Sequence, residues 1–468
     1  MATSETGETS RSAILYQNDD KDITLIDIPT SIALAQGRSD TLLSTQPLEE
    51  PIPLNYEPTT NKAKVNDSKH HPVHLASTVL HLGYKNVVER ALREIHSHVS
   101  GSWCQPRKLK ARVPKGGKTD MEIDDPEQEL ELRLREWAAL EQRKGDDAAF
   151  DFQKMMAFLG AVSEPNATLP ETVTHKWCMS YRSAREMNSD AQRAGSNLPK
   201  EPELEGVQEP WTSSFHNPEK HALDLAVFEN ATKSGQPVAS AAYRFTIPPG
   251  ASFFLSDSTH SESFRTSFRE LTDEYTLPRH FDLVLLDPPW PNRSAKRSKG
   301  YEQVGGIPHT MKMLLKMDID NYLEHNALVG VWITNKEALR DHMLGPGGLF
   351  EKWNIGLIEE WVWVKTTTQG EPMFDIDSLT RKPYEVLLLG RAAPNSWTTM
   401  GPAPAVKKRV IAAVPDIHSR KPCLKELLEP YMPDKQDYSV LEIFSRYLVS
   451  GWMSWGNEVL KFNNDQYW

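Results

Sequence analysis

Apolar positions change their spacing along the chain, and each change marks a different kind of element. Residues 1 to about 70 carry only short apolar patches, such as Ile23-Thr24-Leu25-Ile26, in a background of Ser, Thr, Asp, Pro and Gln. That composition predicts a disordered tail over 1–70. Over 75–98 the residues Val79, Leu80, Leu82, Val87, Val88, Ala91, Leu92 and Ile95 recur at three-to-four spacing, which predicts a helix. A helix is also expected to carry Leu130, Leu132, Leu134, Trp137 and Leu140, with a shorter one over 150–159. Residues 190–220 are polar and proline-bearing and read as a connection. Residues 71–220 are thus expected to form a mainly helical N-terminal region with linkers.

From about residue 221 to 468 the pattern becomes that of an α/β domain. Strands are predicted at 243–247, 252–255, 282–286, 327–333, 357–364, 384–389 and 438–444, with a last one at Val459-Leu460-Lys461-Phe462. Helical spacing falls at 261–275, after Asn335 and at 423–431. Strands that alternate with helices predict a mostly parallel sheet, with ligands at the carboxyl ends of its strands.

Composition narrows the class. The hydrophobic fraction is 39% and the mean hydropathy −0.53, enough apolar material for a core beside long polar segments. No run of 18 apolar residues or signal-peptide pattern is evident, so a chain neither secreted nor membrane-spanning is expected. Cys104, Cys178 and Cys423 are scattered, which argues against a disulfide framework, and no zinc or other metal site is expected. A net charge of −11 disfavours a broad basic coat for nucleic acid but leaves room for local basic patches. One such patch is Arg107, Lys108, Lys110, Arg112, Lys115 and Lys118, read first as a solvated linker and second as an import or RNA-contact segment. Another is Arg293, Lys296, Arg297 and Lys299.

The most informative chemistry is Asp287-Pro288-Pro289-Trp290, which directly follows the apolar run 281–286. Two prolines must stop the strand and stiffen the turn. The turn then carries a carboxylate, a backbone carbonyl and an aromatic face. Such a set can hold a planar ring with an exocyclic amine: the two oxygens accept its N–H bonds and the indole stacks on the ring. An amine whose lone pair is delocalised into a ring needs that orientation before it can attack an activated methyl in line. An ordinary Pro-Pro turn with a capping Asp is the plain alternative.

The segment Asp287-Pro288-Pro289-Trp290-Pro291-Asn292-Arg293-Ser294 resembles the eukaryotic adenosine-N6 methyltransferase family that includes the mRNA-modifying enzymes, in the branch of methyltransferase-like protein four. Further matching blocks are Glu360-Trp361-Val362-Trp363-Val364-Lys365, Lys382-Pro383-Tyr384-Glu385, His418-Ser419-Arg420-Lys421-Pro422 and Gly451-Trp452-Met453-Ser454-Trp455-Gly456-Asn457-Glu458. The resemblance implies a permuted Rossmann-like, S-adenosylmethionine-dependent methyltransferase domain that modifies the N6 amine of adenine. Asp287, Pro288, Pro289 and Trp290 would be catalytic. Lys382 would pair with the carboxylate of the methyl donor, Arg446, Asn457 and Glu458 would hold its ribose region, and Asp257 would contact its adenine. A surface lysine beside a proline turn, a loop after Gly456 and a helix N-cap are the respective plain readings.

Asn292, Arg293, Lys296, Arg297, Tyr301 and Lys365 are the candidates for contact with the nucleic acid. The loop after Lys299 suits a lid and plain disorder equally. Trp361 and Trp363 share a strand face, a spacing more often used for sheet packing than for base stacking. A base inside a duplex hides its amine, so the expected substrate is single-stranded, terminal or flipped out. The resemblance points to RNA, including 2′-O-methyladenosine in small nuclear RNA, ahead of DNA, and to a nuclear or also cytosolic setting. The mRNA-modifying relatives pair with an inactive paralogue, but this chain lacks the cysteines for their zinc fingers and brings its own N-terminal domain, so it is expected to work without an obligate partner. A catalytically inactive scaffold of the same fold is the rival reading; retention of Asp287 and the full tetrapeptide disfavours it.

Overall fold

The computed structural model describes residues 11–53, 72–109, 130, 134–135, 137, 177–183, 209–210, 213–229, 232–233, 236–237, 242–259, 261–291, 306–378, 381–392, 406–417 and 420–468. The chain divides into two compact units. One comprises residues 1–115 and 280–438, the other residues 116–279 and 439–468.

Strands are numbered along the whole chain. The first unit contains β1 (Ile14–Gln17), β2 (Ile23–Ile26), β3 (Leu43–Ser44), β4 (Lys108–Leu109), β13 (Phe281–Leu286), β14 (Leu323–Ile333), β15 (Ile355–Lys365), β16 (Tyr384–Ala392) and β17 (Lys407–Ala413). Seven of these form a sheet in the order β1-β2-β17-β15-β16-β14-β13. The pairs β13–β14, β15–β17 and β17–β2 are parallel, whereas β16 runs antiparallel to both its neighbours and β1 antiparallel to β2. The carboxyl ends of β13, β14, β15 and β17 and the amino end of β16 therefore share one edge. Five of the six residues of β13 are buried, the pattern of a strand covered on both faces.

Residues 11–53 overturn the expected disordered tail. The four residues of β2 are fully buried and pair in parallel with β17, Val410 opposite Ile23. A buried four-residue strand is too short to stand out against its polar surroundings, yet it lies inside the sheet, between β1 and β17. It leads into the helix Ile28–Ala35, whose cap is Asp27: the side chain accepts from Thr30 N at 3.1 Å, and Pro29 sits in the first turn. The long helix Pro72–His98 buries Tyr84, Val88, Ala91, Leu92 and Ile95 and packs on β17, β15 and β2. That spacing is one helical face. Burial of Val88 and Ile95 contributes about 1.5–3 kcal/mol each.

The second unit has an antiparallel sheet in the order β11-β8-β5-β6, built from β5 (Trp177–Ser183), β6 (Glu209–Pro210), β8 (Leu223–Glu229) and β11 (Ala242–Ile247), plus a small β9–β10 hairpin (Thr232–Lys233 and Gln236–Pro237). It also has a sheet in the order β18-β19-β12-β7, from β7 (Ser214–His216), β12 (Ser252–Phe254), β18 (Val440–Ile443) and β19 (Met453–Trp455). The contacts β18–β19 and β19–β12 are parallel. The helix Ser261–Tyr275 covers this sheet through Phe264, Phe268 and Leu271, and the Phe264 ring stacks on Trp455 at 4.0 Å.

Three further expectations change. Residues 177–229 contain strands where a helical region with linkers was expected, and β6 and β7 lie inside the expected connection. The N-terminal region therefore mixes helix and strand, and residues 1–115 of the chain group with residues 280–438. Val459-Leu460-Lys461-Phe462 is not a strand: Lys461–Asn463 is a 3-10 turn, with Lys461 N bonded to Glu458 O at 2.9 Å. The helix expected over 150–159 lies outside the described residues.

Candidate active site

Asp287 is the first residue after β13. Its side chain is 33% exposed and accepts at Oδ2 from Lys421 Nζ at 2.6 Å. Trp290 N donates to Pro288 O at 2.8 Å, an i→i+2 bond that folds the backbone tightly around Pro289. The Pro288 carbonyl retains a second lone pair. Trp290 is 6% exposed, and its indole Nε1 donates to Trp332 O, in β14, at 2.6 Å. The indole is thus locked to the sheet and presents little open face. Lys336 Nζ donates to Pro291 O at 2.7 Å and fixes the far end of the turn.

Lys421 extends the cluster. Its ammonium also lies 3.5 Å from Glu385 Oε2 and 5.4 Å from the centre of the Trp332 ring. Glu385, at the start of β16, takes Lys365 Nζ, from the end of β15, at 2.6 Å. Asp287, Lys421, Glu385 and Lys365 therefore form a chain of alternating charge along one edge of the sheet. Burial pushes the Glu385 carboxyl up, but Lys421 and Lys365 outweigh it and hold the pKa at about 2.

The candidate Lys365 is thus joined to Asp287 through Glu385 and Lys421. Lys382 is placed differently. It donates to Ile376 O at 3.1 Å and lies 3.0 Å from His81 Nε2, and burial pulls its pKa down. The lysine on Asp287 is Lys421. Residues Asn292, Arg293, Lys296, Arg297 and Tyr301 lie outside the described residues. Arg107, expected on a solvated or nucleic-acid-facing stretch, donates instead to Val414 O and Pro415 O, both at 2.9 Å. Trp361 and Trp363 are buried in the sheet, and Trp361 Nε1 donates to Glu359 at 2.7 Å.

The loop after β15 is clamped. Thr366, Thr367 and Thr368 are buried, and Thr368 bonds to Leu48 O and to Trp103 N. Gly370 has φ +86° and presses on the Trp103 indole, so that an added Cβ would overlap the ring.

Asp257, Arg446, Asn457 and Glu458 belong to the second unit. Asp257 caps its own turn, accepting from Thr259 N and Oγ1 at 2.9 Å each. Glu458 is 3% exposed and lies between Arg135 Nη2 at 3.0 Å and Arg446 Nε at 3.3 Å. Burial pushes its pKa up, but Arg446, Lys461 and Arg135 together hold it below the usual carboxylate range. Gly456 lets the loop after β19 approach Phe444, which has φ +64° at the end of β18. These loops at strand carboxyl ends place Arg446, Asn457 and Glu458 on adjoining turns, a donor-and-acceptor set suited to a charged nucleoside ligand. Arg135 was missed from sequence, as were Lys421 and Glu385. The last two stand inside quoted blocks, but nothing in their spacing shows that they meet.

Residues 281–458 match the MT-A70 family model. The Cryphonectria parasitica protein named N6-methyladenosine RNA methyltransferase MTA1 is 41% identical over 222 residues, covering 47% of this chain and 61% of that protein. Human N(6)-adenine-specific methyltransferase METTL4 is 34% identical over 251 residues, 52% and 49% of the two chains. A Caenorhabditis elegans protein named DNA N6-methyl methyltransferase is 31% identical over 217 residues, 46% and 53%. The chain thus spans about half to three fifths of the length of these curated relatives.

Proposed function

We propose, from the match of residues 281–458 to the MT-A70 family model, that this chain transfers a methyl group to the N6 amine of adenine in nucleic acid. The observation that carries the reading is Asp287, held on a proline-stiffened turn at a strand end by Lys421. Lys421 occupies Oδ2, which leaves Oδ1 to accept one N–H of the amine while the Pro288 carbonyl accepts the other. Fixing both N–H directions draws the nitrogen lone pair out of ring conjugation, and the fixed oxygens need no rearrangement as charge develops on nitrogen. The N–C bond forms as the methyl leaves its donor, and the proton released from nitrogen has Asp287 as its nearest acceptor.

The donor in this reading is S-adenosylmethionine, whose sulfonium supplies an electrophilic methyl. Arg446, Asn457 and Glu458 fit its nucleoside part, with Glu458 serving chiefly to orient Arg446. Asp257, engaged in its own turn, has less to offer. Lys382 is tied to His81 and Ile376, and Lys421 to Asp287 and Glu385. The order of β13 before β18 and β19 supports a permuted Rossmann-like arrangement.

RNA, including 2′-O-methyladenosine in small nuclear RNA, is proposed ahead of DNA, in the nucleus or also the cytosol, with the chain working alone. The relatives' names include both an RNA and a DNA methyltransferase, so the substrate is settled by a panel. Labelled S-adenosylmethionine is offered with adenine-containing RNA, 2′-O-methylated RNA and single-stranded DNA. Transfer to RNA first supports the proposal, transfer to DNA alone would redirect it, and transfer to none would leave the scaffold reading.

A further inference from the structure

Lys421 follows a residue that is wholly out of water. The side chains of Arg420 and Asp416 are both 0% exposed and pair at 2.6 Å. Arg420 Nη1 also donates to Leu43 O at 2.8 Å. Asp416 accepts from Thr45 N at 3.0 Å and from Ser44 Oγ at 3.3 Å. Arg107 adds bonds to Val414 O and Pro415 O on one side and to Thr45 O on the other. Beyond Lys421, Cys423 N donates to Ser31 Oγ at 3.0 Å. Residues 31–45 therefore grip the segment that carries Lys421 at both of its flanks.

Burying two charges is a poor way to gain stability, because desolvation cancels most of the attraction and an apolar pair of similar volume often does as well. A guanidinium whose Nη1 is shared between the Asp416 carboxylate and the Leu43 carbonyl does something an apolar pair cannot: it fixes direction. Fixing the backbone at Arg420 fixes where the Lys421 stem begins. Pro422 then restricts the Lys421 backbone to extended conformations. A free lysine stem would spread over many rotamers and lose that freedom on each encounter with Asp287.

We propose that the buried Asp416–Arg420 pair, seated on the N-terminal segment at Leu43, Ser44 and Thr45, is a positioning device that holds the Lys421 ammonium against Asp287. The N-terminal segment is then part of the apparatus of the site and more than a cover for the sheet edge. A consequence for turnover follows only where Asp287 holds the substrate amine, as proposed above.

The test uses the full chain with two variants: Asp416→Asn combined with Arg420→Met, which removes both charges together, and Thr45→Pro, which removes the N–H given to Asp416 and stiffens the backbone at Ser44. Acetylation of individual lysines by acetic anhydride, read by mass spectrometry, reports on Lys421 without reference to activity. In variants that keep the wild-type circular dichroism, Lys421 is expected to react at least about fivefold faster while Lys336 keeps its rate, as for groups coupled only through contact. Unchanged Lys421 reactivity in a folded variant would overturn the proposal.

Turnover supplies the second reading. In the same variants kcat is expected to fall about tenfold with KM for nucleic acid unchanged, and combining them with Lys421→Met should bring kcat no lower than Lys421→Met alone, since coupled residues do not add. Losses that multiply would mean that the pair acts through general stability and not through Lys421. Wild-type protein inactive on every adenine substrate would count against the proposed activity alone, and the acetylation rates would still decide the positioning.

Discussion

Replacing Lys421 with Met removes one ammonium and keeps most of the stem. In the structure that ammonium stands 2.6 Å from Asp287 and 3.5 Å from Glu385, with the side chain 14% exposed. Glu385 keeps Lys365 at 2.6 Å, so its charge is not stranded. What is lost is the charge-assisted bond that sets the rotamer of Asp287. Such bonds contribute about 1.5–3 kcal/mol net. If the full amount is used to hold Asp287 in the transition state, kcat falls about ten- to a hundredfold. The assay is steady-state methyl transfer at saturating S-adenosylmethionine, with Asp287→Ala as the floor and thermal unfolding as the control on folding. A Lys421→Met protein that folds normally and keeps kcat within about twofold of wild type would refute the reasoning, since that loss is below even the smallest bond energy expected here.

Other consequences concern the supports of the site. Gly370→Ala should destabilise the chain by about 1–3 kcal/mol, because φ is +86° and the new methyl meets the Trp103 indole; a melting curve checks this. Trp290→Phe leaves the Trp332 carbonyl without its indole donor, and denaturant unfolding should show a loss of about 1–3 kcal/mol. Glu385 has a folded pKa of about 2 against an ordinary 4.5, so its stabilisation is complete above about 4.5 and is lost as pH falls towards 2. Glu385→Gln should flatten the acid limb of stability against pH over that window, and an unchanged limb would show that the lysines do not hold the charge.

How much of this could be read from the chain depends on where each partner lies. The strand β13 and its stop were plain because an apolar run meets two prolines within a few residues. The pair formed by Asp287 and Lys421 joins positions 134 apart, and no local period announces it. Lys382 stood in a more conspicuous block, yet its partner is His81, three hundred residues upstream in a helix with its own periodicity. The strand β2 was visible as an apolar patch. Its partner β17 was not foreseen, so the patch read as an exception within a tail instead of an inner strand of the sheet. Arg107 shows the same limit: three backbone carbonyls determine its role, and carbonyls carry no sequence signal.

The most direct test is to incubate the full chain with S-adenosylmethionine and a single-stranded adenine-containing RNA, then digest to nucleosides and measure N6-methyladenosine by mass spectrometry, with Asp287→Ala in parallel. The account predicts N6-methyladenosine with wild-type protein and a loss of at least about a hundredfold in the variant, the scale on which a positioned polar group contributes to an electrostatically catalysed step. Methylation that persists in Asp287→Ala, or a methyl found on a different atom of the base, would contradict it.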